Sequence, residues 1–160
     1  MRYDANGRLC EQNETDDCGT THTTRFDYDC FDRLIKKTDS FGNPTEYTYD
    51  PLVNRIIKTH YPNDVLTSRI YDPFGREISS TDANGNTTRT RYNAYGSPIE
   101  VIHPDGTQDH YRYANDGQLI CHINQEGLII NYQRDILGRV LSKIYISQYK
   151  EITRETFTYS

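Results

Sequence analysis

The stretch YDPFGREISSTDANGNTTRTRYNAYGSPIEV, residues 71–101, holds two tyrosines, Tyr71 and Tyr92, that stand twenty-one residues apart. Each is followed four residues later by a glycine, Gly75 and Gly96. Either a turn happens to recur, or this is the period from which the chain is built. Placing tyrosines in register along the sequence gives Tyr3, Tyr28, Tyr49, Tyr71, Tyr92 and Tyr113, with Arg134 in the seventh place and Tyr159 opening an eighth. The spacings are 25, 21, 22, 21, 21, 21 and 25 residues. A period of this size is the mark of a repeat architecture.

Glycine gives an independent check. Gly7, Gly75, Gly96, Gly117 and Gly138 lie four residues after a marker, and Gly42, Gly85, Gly106 and Gly127 lie fourteen after one. Nine of the ten glycines thus fall on two positions of the repeat. Asp32, Asn54 and Asp64 stand where glycine is missing, and Asp and Asn are the other residues that best tolerate the left-handed region. Each repeat therefore carries two turns. Asp72 opens the first, where an Asp side chain can accept a backbone bond from two residues on, and Asp82 opens the second.

Runs of about six residues separate the turns, a usual strand length. Tight turns make successive strands antiparallel. The expected fold is all-β: seven hairpin repeats in one array over residues 1–160, a meander of about fourteen short antiparallel strands forming a curled single-layer sheet. Alternation puts Phe26, Tyr47, Arg69, Thr90, Tyr111, Tyr132 and Phe157 on the marker face. Leu9, Leu34, Ile56, Ile78, Ile99, Leu119 and Val140 would interleave with them from the other strand of each repeat. Hydrophobic residues make up 34% of the chain, below the roughly 45–50% of ordinary domains, which suits a sheet with no second layer over it.

The repeats YDANGRL, YDPFGREI and RDILGRVL, with the second turn DANGNTT, resemble the YD repeat of Rhs proteins over Tyr3 to Ser160. That resemblance implies a long β-strip wound around an enclosed space. Such shells occur in bacterial polymorphic toxins, insecticidal toxin complexes, wall-associated proteins and teneurins. The implied role is non-catalytic: a segment of β-shell enclosing or scaffolding a toxin domain in a larger secreted or cell-surface protein. The implied partners are the rest of the shell and the toxin. The alternative is a surface module that binds carbohydrate or protein through its exposed aromatic face. The protease core segment that follows the repeats in such shells has no counterpart in these residues, so no catalytic role is transferred. Because Tyr3 and Tyr159 share one phase, the chain is expected to be cut from a longer array or copied as an orphan fragment of one.

Candidate chemistry is sparse. His103, Asp105, Asp109 and His110 in HPDGTQDHY are the right types for metal ligands, but they straddle a repeat turn and a solvated hairpin is the expectation. His60 and His103 share one repeat position about 19 Å apart, too far to share a metal. No cofactor or metal site is expected. Net charge is -5 with scattered basic residues, which disfavours nucleic acid. No apolar run is long enough for a membrane span and no signal peptide opens the chain, so the chain alone would stay in the cytoplasm. Cys10 and Cys18 flank a long turn that a disulfide could bridge, yet unpaired thiols are expected there and at Cys30 and Cys121. So many strands leave unpaired edges, so self-association is expected, with the 25-residue end repeats capping or fraying.

Overall fold

The computed structural model describes residues 1–148 and 150–159. Tyr149 and Ser160, within the C-terminal repeat expected to cap or fray, lie outside them. The described chain is an all-β antiparallel meander of fifteen strands with one 3-10 turn, Pro62–Asp64. It divides into two compact units, Met1–Asn86 and Thr87–Ser160. The first holds β1 (Arg2–Tyr3), β2 (Leu9–Thr15), β3 (Thr21–Tyr28), β4 (Leu34–Thr38), β5 (Pro44–Tyr49), β6 (Ile56–Tyr61), β7 (Val65–Tyr71) and β8 (Glu77–Thr81). The second holds β9 (Thr87–Tyr92), β10 (Pro98–Ile102), β11 (Gln108–Tyr113), β12 (Leu119–Ile123), β13 (Ile129–Arg134), β14 (Val140–Ser147) and β15 (Lys150–Thr156). Within each unit strand order is chain order. The count exceeds fourteen because seven repeats are bounded by eight marker strands.

The turns form as their residues dictate. In the first turn of the Tyr71 repeat, Gly75 N–H donates to Asp72 O at 2.9 Å and Asp72 N–H donates to Arg76 O at 2.9 Å. The second turn repeats the pattern with Gly85 to Asp82 and Asp82 to Asn86. This is a tight hairpin loop whose last residue takes positive φ. The substitutes for glycine do the same: Asp32, Asn54 and Asp64 have φ of 62°, 53° and 60°. Gly19, which falls off the two glycine positions in sequence, closes an identical turn opened by Asp16. The four extra residues of the first repeat lengthen β2 and β3, and so displace that turn along the chain without altering it. The last repeat is lengthened the same way in β14 and β15.

A feature absent from the sequence pattern recurs at the seven markers from Tyr3 to Arg134. Tyr28 pairs with Leu34 while Asp27 pairs with Lys36, leaving Ile35 as a β-bulge. The same shift leaves out Cys10, Ile57, Ile78, Ile99, Ile120 and Leu141. Ile78 and Ile99 are therefore bulge residues, and Glu77 and Pro98 stand opposite the markers instead. A bulge bends its strand and increases its twist.

The sheet is one layer thick. Among the described residues Cys121 is the only buried hydrophobic one, and no side chain is fully buried. All four cysteines are unpaired. Cohesion must come from neighbouring strands rather than from a core. At Gly85, where φ is +83° and open space surrounds the Cα, Gly85→Ala should cost about 1 kcal/mol of backbone strain alone. At Gly138 a Cβ would lie 2.7 Å from Gln118 Nε2, so Gly138→Ala should cost more; urea denaturation of both variants orders them.

Candidate functional site

Several first turns carry a chain of contacts into the following repeat, and the turn after Tyr28 shows it in full. Asp29 Oδ1 accepts the N–H groups of Phe31 and Arg33, and the Arg33 guanidinium donates to Asp29 Oδ2 at 2.7 Å. The same guanidinium lies over the ring of the next marker, Tyr49, 4.6 Å from its centroid. It also donates to Asn54 Oδ1 in the next turn. The ring's hydroxyl then donates back to Leu34 O, in the strand following the first turn, at 2.9 Å. Burial pushes the Tyr49 phenol up, so it stays protonated and able to donate.

The arrangement recurs with the period. Arg8, Arg55 and Arg139 cover the rings of Tyr28, Tyr71 and Tyr159. The hydroxyls of Tyr28, Tyr71, Tyr113 and Tyr159 donate to the carbonyls of Leu9, Ile56, Pro98 and Val140. These acceptors occupy one repeat position. Arg134 keeps the bond without a ring, its Nε donating to Leu119 O at 3.2 Å. Tyr28, Tyr49 and Tyr71 are thus half-buried clasps between repeats, with a ring face under a cation and the hydroxyl engaged, while Tyr113, which follows Ser97, keeps the hydroxyl bond alone. Tyr3 ends β1 exposed, its hydroxyl on the Met1 sulfur.

The second turns are held by carboxylates. Asp82 Oδ1 accepts the N–H groups of Asn84 and Asn86, and the Asn86 amide donates to Oδ2 at 3.0 Å. Bonds from the side chains of Asn43 and Asn86, then from their backbone N–H groups, hold the Asp39 and Asp82 carboxyls below the usual range. Asn124 caps its own turn in the same way without a charge.

The four metal-ligand candidates do not converge. Asp105 is spent on Thr107, accepting both its N–H and its hydroxyl. His110 lies 3.8 Å from Glu100, which it opposes across β10 and β11. His103 and Asp109 do meet, with Nε2 2.6 Å from Oδ2. The third member is His122 on β12, which no sequence pattern marked: its Nε2 lies 2.8 Å from Asp109 Oδ1, and its ring stacks on Tyr111 at 4.7 Å. Two imidazoles clasp one carboxylate and tie β10, β11 and β12 together. Among the described residues no group of three or more His, Cys, Asp or Glu is placed to hold a metal ion. The His103–Asp109–His122 group is therefore a cross-strand brace.

A one-layer antiparallel meander in which Tyr-Asp opens the first turn of four of the seven repeats, at Tyr3, Tyr28, Tyr49 and Tyr71, defines a YD-repeat strip. The chain belongs to the Teneurin YD-shell family, whose model matches residues 1–154. No curated protein matches the sequence. Among solved structures, the TcdB2-TccC3-TEV crystal structure aligns with a TM-score of 0.66 at 16% identity, covering 89% of this chain and 9% of that one. TcdB2-TccC3-Cdc42 aligns at 0.57 and 15% identity, covering 99% and 12%. A Tc holotoxin pore of Photorhabdus luminescens aligns at 0.50 and 16% identity, covering 82% and 9%. At such identity the likeness is one of fold, and the chain spans about a tenth of these relatives' length.

Two outcomes test the clasp. Tyr49→Phe removes one hydroxyl bond and keeps the stacked ring, and should lower stability by about 1 kcal/mol in urea denaturation. Asp39 and Asp82 titrate lower when folded than when unfolded, so their contribution is complete above pH of about 4 and is lost as pH falls through their folded values. Melting temperature should fall below that pH. Asp82→Asn, which keeps the backbone caps as Asn124 does, should flatten the fall.

Proposed function

We propose that this chain is a non-catalytic wall segment of a YD-repeat shell in a larger secreted or cell-surface protein. Its partners on this reading are further repeats of the wall and a toxin domain enclosed by it. Strand edges left open in the isolated chain would pair with a second copy. The observation that carries the proposal is the use to which the aromatic and acidic residues are put. Most marker rings lie under a guanidinium, their hydroxyls bond to carbonyls, and the turn carboxylates are taken up by backbone N–H groups. The marker hydroxyls and turn carboxylates are thereby occupied, while Phe31, Phe74 and Tyr95 at the turn tips remain exposed. The family membership and the Tc toxin relatives support the same reading.

Protease protection tests it. Expressed with its natural flanking sequence, the wall should shield the domain it encloses from proteinase K until the wall itself unfolds. Equal digestion of that domain with and without the repeats would overturn the proposal, as would steady hydrolase or nuclease turnover by the purified chain.

A further inference from the structure

Three departures from the repeat coincide around the turn that follows Tyr113. Ala114 stands where most first turns have Asp, Gln118 stands where most have Arg, and the next marker is Arg134 instead of Tyr. Taken singly, each is a lost contact. In space they are one relocation.

Gln118 runs where the guanidinium runs in other repeats, over the glycine of the next first turn. A Cβ on Gly138 would meet Gln118 Nε2 at 2.7 Å, and one on Gly75 would meet Arg55 Nε at 3.5 Å. Arg134 in turn follows the path of the tyrosine. Its Nε donates to Leu119 O, the position that Leu34 O has for Tyr49, and its Nη1 donates to Gly138 O at 2.9 Å. Gln118 is not kept there by its own bonding, because its Oε1 is buried and accepts no hydrogen bond. What it supplies is neutrality. An arginine at 118 would lie beside Arg134 with no Asp at 114 to bind it. The one carboxylate of that turn, Asp116, already caps the Gln118 N–H at 3.0 Å.

We propose that the residue five after a marker and the marker of the next repeat form a matched pair that admits at most one cation, and that this pair decides which repeat can follow which. Arg33 with Tyr49 and Gln118 with Arg134 are the two one-cation kinds, and Ser97 with Tyr113 carries no cation. Repeats of the two kinds are then not interchangeable neighbours, although each has the same turns and strands. The inference concerns how repeats join and does not depend on what the wall surrounds.

Thermal melts of four proteins test it: the natural chain, Gln118→Arg, Arg134→Tyr, and the two combined. Gln118→Arg should lower the melting temperature by about 3 °C, and added salt should restore part of the loss by screening. The combined variant should melt within about 1 °C of the natural chain, far from the sum of the single shifts. An unchanged Gln118→Arg variant, or shifts that simply add, would overturn the pairing. As a second measurement, Tyr49→Arg alone should destabilise more than Tyr49→Arg with Arg33→Gln and Asp29→Ala. The reverse order would also overturn it.

Discussion

A sheet that is one layer thick has no interior, and the rest of this structure answers that constraint. Burial of apolar area is the main stabiliser of ordinary domains, yet here Cys121 is the only buried hydrophobic residue among those described, the others being at most half-buried. Lateral contacts take over. Repeats fasten to their neighbours by a ladder of backbone bonds and, at most junctions, by a guanidinium on a ring, worth about 0.5–1 kcal/mol where exposed, and by a phenol on a carbonyl. None of these is large. Their number rises in step with the number of repeats, as in other architectures whose stability is a sum over neighbours.

The same constraint explains the choice of tyrosine. Phenylalanine would fill the space and leave the carbonyl in the strand before it without a side-chain donor. Tyrosine offers an apolar body to the half-buried face and a polar tip that reaches across the hairpin. Arginine can substitute at 134 because its stem also covers the sheet and its head donates. Asp109 and His122 of the brace lie on the strands flanking the turn of Ala114 and Gln118, at their far end, where His103 joins them from the turn after β10, so polar contacts between these strands gather at the end away from that turn.

Local chemistry made much of this legible in the sequence. The glycines, Asp72, Asp82 and the left-handed Asp32 and Asn54 act within five residues of themselves, so a linear pattern records them. Gly19 escaped because two adjacent strands had each grown, which moved a normal turn off the period. The bulges at Ile35 and its equivalents escaped because a bulge exists only relative to a partner strand. His122 escaped for a similar reason: it meets Asp109 thirteen residues away, across a strand pair, and no fixed spacing announces it. The relation between Gln118 and Arg134 is likewise invisible until two repeats are laid side by side.

The bulge at each marker has a consequence for how such a strip could grow. Bending and twist are delivered at a fixed place in every period from Tyr3 to Arg134, by a feature of the backbone that tolerates Cys10, Ile35 and Leu141 alike. Curvature is thus an increment per repeat, like the wedge of each stone in an arch. Gaining or losing twenty-one residues changes how far the strip runs while leaving the bend of every remaining hairpin as it was. Size and curvature become separate variables, and duplication can alter the first without disturbing the second.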